Sequence, residues 1–206
     1  MVIVEEPAAI GLRAHSGWAA LVAVAGTPRS ARVLLRRRIE LADPRTPGSK
    51  QPYHAAEGKT LPAAEKIIDR SCGDARRLAG RAFDEVLAEL ETSRHPAVAC
   101  GLLLASGRPL PSLEAILASH ALIHTADGEL FRDALAAAAR DRGLPMTRVR
   151  EKEILPRAAA ALRIPEGEIT QRLKDIGRSI GSPWTQDQKL AALAGWVALA
   201  GSSRES

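Results

Sequence analysis

The chain predicts a mixed α/β fold in which one sheet, part antiparallel and part parallel, is flanked by helices. Three observations carry this reading. Residues 9–41 form extended apolar segments around a turn-forming break, a short apolar run at 97–105 and a further strand candidate at 146–150 each stand between helical periodicities, and the chain from about residue 153 reads as helix.

Ala9–Val24 is rich in Ala, Val, Ile and Leu, breaks at Ala25-Gly26-Thr27-Pro28-Arg29-Ser30, and resumes as an extended pattern over Ala31–Leu41. This is the signature of a long hairpin, with room for a third strand. In its second arm Val33, Leu35, Ile39 and Leu41 fall on one face, interrupted by Arg37, while Arg36, Arg38 and Glu40 share the other. Asp43-Pro44, Thr46-Pro47-Gly48 and Gln51-Pro52 forbid a long regular element over 42–59 and predict a surface loop. Thr60 is placed as an N-cap with Pro62 in the first turn, and apolar positions from Ala64 to Leu90 keep a helical period to about Glu91, with a kink expected at Ser71-Cys72-Gly73-Asp74. Ala97–Ala105, flanked by His95-Pro96 and Ser106-Gly107, suits a strand covered on both faces. Pro111-Ser112 opens a helix to about His124, Asp127 is placed as the cap of a second from Gly128 to Arg142, and Met146–Arg150 is the next strand. Helices near Ile154–Leu162, Glu168–Ile180 and Gln186–Ala200 complete a single expected domain over residues 1–206.

Composition narrows the function classes. Aromatic residues make up only 3% of the chain, so its core is built from Ala, Leu, Val and Ile and its helices must pack closely. The apolar runs Trp18–Ala25 and Ala191–Ala200 are too short to cross a membrane, and the first residues lack a basic n-region, so a cytoplasmic, soluble protein is expected. Cys72 and Cys100 can supply neither a disulfide framework nor a four-thiolate zinc site and read as reduced core residues. Pro7 to Arg38 contains six arginines, at 13, 29, 32, 36, 37 and 38, and no acid, more positive charge than the net +5 of the whole chain. It marks a candidate anion-binding surface, with Arg36 and Arg38 as the candidate contacts to nucleic acid.

The order of elements resembles the ribonuclease H-like superfamily, in particular the layout of its Holliday-junction resolvases: a mixed β-sheet of antiparallel N-terminal hairpin and parallel strands, flanked by helices. In that family the first strand carries a Gly-Ile-Asp-Pro-Gly type motif, where this chain has Ile10-Gly11-Leu12-Arg13-Ala14-His15-Ser16-Gly17. Val98–Leu104 is similar to the central strand, and Trp184 to Ala194 to the terminal helix, whose start supplies acids in an Asp-x-x-Asp-Ala pattern. The resemblance implies a two-magnesium nuclease held by about four carboxylates. Those carboxylates do not carry over. Leu12 or Arg13 stands in the place of the first-strand Asp, Ala99, Cys100 or Gly101 in that of the central Glu, and Leu190 or Ala191 in that of the second helix Asp, leaving Asp187 alone. One carboxylate cannot hold two magnesium ions, and Arg13 would repel them. The expectation is therefore a ribonuclease H-like protein without metal or cofactor. The blocks His15–Trp18, Gln51–Glu57 and Ser119–His124 are also similar to those of a bacterial family without an assigned activity.

The candidate ligand-binding residues are Arg13, His15, Ser16, Tyr53, His54, His120, His124 and Asp187. His120 and His124 stand at i, i+4 and project from one helix face, but position 121 is Ala, so the His-Glu-x-x-His pattern of a zinc hydrolase is absent and hydrogen-bonded histidines are the expected reading. Tyr53, in the loop, is a candidate to stack on a base. Asp187 and Glu129 each fit the first turn of a helix, with Asp187 also able to pair with Arg13. Trp18 and Trp196 are assigned to the core and Trp184 to a staple before the last helix. No Gly-rich phosphate loop, nucleophile elbow or Cys/His triad pattern is present. The leading expectation is binding of nucleic acid or a phosphorylated ligand at a cleft lined by Arg13 and His15. Two rivals are a metal-independent enzyme using His15, His54 and His120 or His124 with Asp187, and a structural module forming homo-oligomers.

Overall fold

The computed structural model describes residues 5–27, 29–105 and 109–202. Pro28 of the expected hairpin break, the flanking Ser106-Gly107 and the first four residues lie outside the described residues. The strands are β1 (Ala8–His15), β2 (Trp18–Ala25), β3 (Arg32–Glu40), β4 (Ala97–Leu104) and β5 (Met146–Arg150), in one sheet of order β3-β2-β1-β4-β5. The first three pair antiparallel, whereas β1 with β4 and β4 with β5 are parallel. The mixed sheet is therefore as expected. The arm read as one strand, Ala9–Val24, is instead two, because Ser16-Gly17 makes a two-residue turn with Gly17 at φ +83°. A single glycine in an apolar run is a faint signal.

A bulge corrects the facing of β3. Ala23 pairs with Leu35 but Val24 pairs with Val33, so Leu34 is the extra residue. Val33 consequently packs with Val22 and Val24 on one side of the sheet, and Leu35 and Ile39 join Leu21 and Ala23 on the other. Arg37 points to the same side as Leu35 and Ile39 because it pairs with Glu89 of a covering helix.

The helices are α1 (Pro52–Ala56), α2 (Leu61–Thr92), α3 (Leu113–Leu117), α4 (His120–Arg140), α5 (Ile154–Leu162), α6 (Glu166–Ile180) and α7 (Gln186–Ser202). Helices α2 and α4 cover one face of the sheet, and α5, α6 and α7 cover the other. No described helix is long and apolar enough to cross a membrane. Helix α2 carries no break at Ser71–Asp74, because buried positions Ala64, Ile68, Ser71, Ala75, Ala79, Phe83, Val86 and Leu90 keep one stripe through it and Gly73 faces open space. Thr60 precedes α2 without a side-chain cap bond. The loop over 42–59 contains α1, started by Pro52 in the first turn.

The helices after β4 also divide differently. Ser112 caps only the short α3, its Oγ accepting from the Ala115 N–H at 3.4 Å, and α4 then runs unbroken through Asp127 and Gly128. Asp127 is no cap: at 1% exposure it is buried inside α4, where residues of α1 use its oxygens. Glu129 likewise lies within α4 and pairs with Arg132 at 3.0 Å. Trp196 is buried as expected, whereas Trp18 is only half-buried at the end of β2. Trp184 packs on Gly177 and donates Nε1–H to the Leu173 carbonyl at 2.7 Å, tying α6 to the start of α7.

Helix α7 lies directly on β1 and β4. A Cβ on Gly11 would collide with the backbone of Ala191, and one on Gly101 with the backbone of Ala194. Adjacent glycines at one level of neighbouring parallel strands, Gly11 beside Gly101, form the shelf on which the helix rests. Gly101→Ala is expected to destabilise the fold by about 3 kcal/mol, since backbone rather than a flexible side chain must move. Urea unfolding of the variant tests this; an unchanged midpoint would refute the shelf.

Candidate functional site

The C-terminal end of β1 projects Arg13 and His15 on the α7 side of the sheet. There Arg13 makes a two-pronged pair with Glu151, Nε to Oε2 and Nη2 to Oε1, both at 2.9 Å. Its Nη1 donates to Asp187 at the start of α7, the pairing expected from the sequence. Glu151 enters at the end of β5, in a 3₁₀ turn spanning Glu151–Glu153. The arginine is thus held by carboxylates from two elements that meet only when α7 docks. Its side chain is 20% exposed, so these charge-assisted bonds are partly shielded from water.

His15 Nε2 lies 2.9 Å from both Arg13 Nη1 and Asp187 Oδ1. Burial and then the neighbouring guanidinium hold its pKa below the ordinary 6.5. A neutral ring uses Nε2 either to accept from Arg13 or to donate to Asp187. The imidazole stacks on Trp18 at 4.2 Å between centroids and 9° between planes, and the Arg38 guanidinium stands 3.9 Å over the Trp18 ring. Ser16, in the adjoining turn, is exposed.

Tyr53, His54, His120 and His124 assemble elsewhere. His54 Nδ1 is 2.5 Å from Asp127 Oδ2, and the Tyr53 backbone N–H donates to Asp127 Oδ1 at 2.8 Å. His120 and His124 approach Nε2 to Nε2 at 3.1 Å, and the His54 ring meets both edge-on. Tyr53 is no exposed stacking platform: it packs against the core, and burial pushes its hydroxyl pKa up to about 12. Among the described residues no hydrogen bond, ion pair or ring contact joins this cluster to Arg13, His15 and Asp187. The histidines that a metal-independent enzyme would use together therefore form two separate groups among the described residues, His15 in one and His54, His120 and His124 in the other.

The arginine-rich stretch is also largely neutralised. Arg32 pairs with Glu6, Arg37 with Glu89 and Arg38 with Glu40, while Arg36 donates to the carbonyls of Ile180 and Gly181 at the end of α6. Arg36 acts as a helix C-cap. Two further arginines, Arg148 and the Glu129-paired Arg132, border a cavity of about 310 Å³ at the C-terminal ends of β4 and β5, lined also by Leu102, Leu104 and Asp133. There the buried Arg132 Nε has no partner.

Sequence reasoning missed Glu151 as the second carboxylate on Arg13, and no local pattern reveals it. Asp127 was findable: His120, His124 and Asp127 stand at i, i+4 and i+7, one face of one helix.

Sheet order, register and flanking helices are those of a ribonuclease H-like α/β fold. Among solved structures, the chain is similar to Thermus thermophilus RuvC in complex with a Holliday junction substrate, at 14% identity and a TM-score of 0.54 over 97% of this chain and 96% of that one. A second Thermus thermophilus RuvC structure is 13% identical with a TM-score of 0.53, covering 96% of each chain. No protein-family model and no curated protein sequence matches.

Arg13→Ala is expected to cost about 2 kcal/mol at neutral pH, less than for a fully buried pair because water reaches the site. Arg13 is the first cause of a Glu151 pKa below its ordinary 4.5. A depressed carboxylate stabilises the fold above the unfolded-state pKa and loses that contribution as pH falls through the folded one. The stability gap between the native chain and Arg13→Ala should therefore narrow below about pH 4.5. Thermal melts across pH 3–7 check this, and a gap independent of pH would contradict the pairing.

Proposed function

We propose that this ribonuclease H-like protein binds nucleic acid without two-metal phosphodiester cleavage. The observation that carries the proposal is the guanidinium of Arg13 at the C-terminal end of the central strands, with Glu151 and Asp187 both turned onto it. Two-metal hydrolysis needs carboxylates free to bridge a pair of cations about 4 Å apart. Here a fixed cation of the protein occupies their oxygens. The parallel register sets Leu12 beside Leu102, and the next residue of β4, Leu103, is buried and apolar, so β4 offers no carboxylate beside Arg13.

Arg13 and His15 are saturated by their neighbours, so phosphate is assigned to the adjoining cavity, where Arg132 and Arg148 face the C-terminal edge of the sheet. Arg38, half exposed beside Trp18, is a second contact, whereas Arg36 is committed to α6. Support for nucleic acid over a free phosphorylated ligand comes from the fold likeness spanning nearly the whole chain.

Fluorescence anisotropy with a labelled four-way DNA junction, a duplex and a single strand, each with Mg²⁺, is the test. The expected result is binding that weakens steeply between 50 and 200 mM salt (on the order of 10-fold or more for a few phosphate contacts), is reduced several-fold by Arg148→Ala, and yields no cleaved product. Cleavage with Mg²⁺ or Mn²⁺ would refute the non-nuclease reading. Binding that is absent or insensitive to salt would refute the nucleic-acid reading.

A further inference from the structure

We infer that His54, His120 and His124 form a binding site for one divalent transition-metal ion, zinc foremost, with Asp127 as the group that orients His54 and an open fourth position facing solvent. The site is remote from Arg13 in its contacts and does not rest on the nucleic-acid reading.

Ligand type and spacing come first. Three imidazoles with one donor atom each lie within 4.8 Å of one another. His120 and His124 already stand with Nε2 atoms 3.1 Å apart, close to the edge of about 3.3 Å that a tetrahedron with metal–nitrogen bonds of about 2.05 Å requires. The rings are not stacked. Their planes cross at 88°, 64° and 79°, as three imidazoles must when each turns its own in-plane lone pair toward a common point. Small rotations of His54 close the remaining distance.

His54 carries the device that metal-binding histidines commonly use. Its Nδ1–H donates to Asp127 Oδ2 at 2.5 Å, which fixes the ring and leaves the Nε2 lone pair for an ion. Asp127 is fixed in turn by the Tyr53 N–H on its other oxygen. Buried to 1% exposure, Asp127 has no arginine or lysine partner among the described residues, and His54 is the sole ionisable group it meets. A carboxylate placed there is costly unless positive charge is delivered to it. A divalent ion on the far nitrogen of His54 delivers that charge.

His120 and His124 are exposed, and exposed imidazoles have water to bond to. These two direct their Nε2 atoms at each other and present their rings to His54 instead. Their exposure leaves room for a water or ligand atom as fourth donor, the pattern of three protein ligands and one open position. Three nitrogen donors and no thiolate favour zinc, copper, nickel or cobalt over magnesium or calcium. The consequence for the fold is a clamp, since the ion would tie α1, in the 42–59 segment, to the first turns of α4.

Zinc titration of the untagged full chain, stripped of metal beforehand, tests the inference by competition against a chromophoric chelator. Cobalt(II) substitution is followed in parallel by visible absorption. One Zn²⁺ per chain, tetrahedral cobalt bands and a higher Tm with zinc are expected. The double variant His120→Ala/His124→Ala, both at exposed positions, should fold and lose these signals. Asp127→Asn should weaken binding on the order of 10- to 100-fold, with circular dichroism confirming the fold, and Cys72→Ser should leave it unchanged. Stoichiometry well below one, or an affinity the double variant does not alter, overturns the site. Should Asp127→Asn not fold, the double variant alone decides.

Discussion

The architecture depends on how closely α7 approaches the sheet. Gly11 and Gly101 remove side chains where the helix backbone passes over β1 and β4, and Gly195 of the helix returns the same allowance toward Gly11. At that distance the small residues Ala191, Ala194 and Ala198 are buried at the interface. An alanine-rich, aromatic-poor chain can build a dense core only in this way, by bringing backbones together.

The same approach creates the Arg13 site. Asp187 belongs to the first turn of α7, so the height of the helix over β1 sets its distance from Arg13, while Glu151 is delivered by the end of β5. A guanidinium held on both edges by carboxylates is rigid, partly buried and chemically quiet. At the C-terminal end of β1 it ties the centre of the sheet to the starts of α7 and of the turn after β5 through ion pairs. Away from this ion pair stand an arginine-bordered cavity at the ends of β4 and β5 and the histidine cluster between α1 and α4.

Surface charge follows a similar logic. Of the arginines in the opening stretch, several are consumed by Glu6 and Glu40, which flank it in sequence, or by Glu89, Glu151 and Asp187 from distant parts of the chain, and one by the end of α6. A run of like charge in sequence is not a run of like charge in space. Glu40 answers Arg38 from the same strand, whereas Glu89, Glu151 and Asp187 are brought to their arginines from other elements by the fold.

Periodicity and turn chemistry determined by themselves that this is a mixed sheet flanked by helices, and where most strands and helices begin and end. These are properties of residues near one another in the chain, for which apolar spacing and glycine or proline suffice. The local signal failed where tertiary contacts outweighed it: Asp127 looked like a cap but is buried beneath His54, Gly73 looked like a hinge but lies in an unbroken helix, and the β3 bulge turned Val33 to the opposite face. Only the tertiary structure decided that Glu151 joins Asp187 on Arg13, and that His54 joins His120 and His124 rather than His15. The reason is physical: which distant side chains meet is fixed by the docking of whole elements, through the closeness of α7 to β1 and of α1 to α4, and no periodicity along the chain encodes that distance.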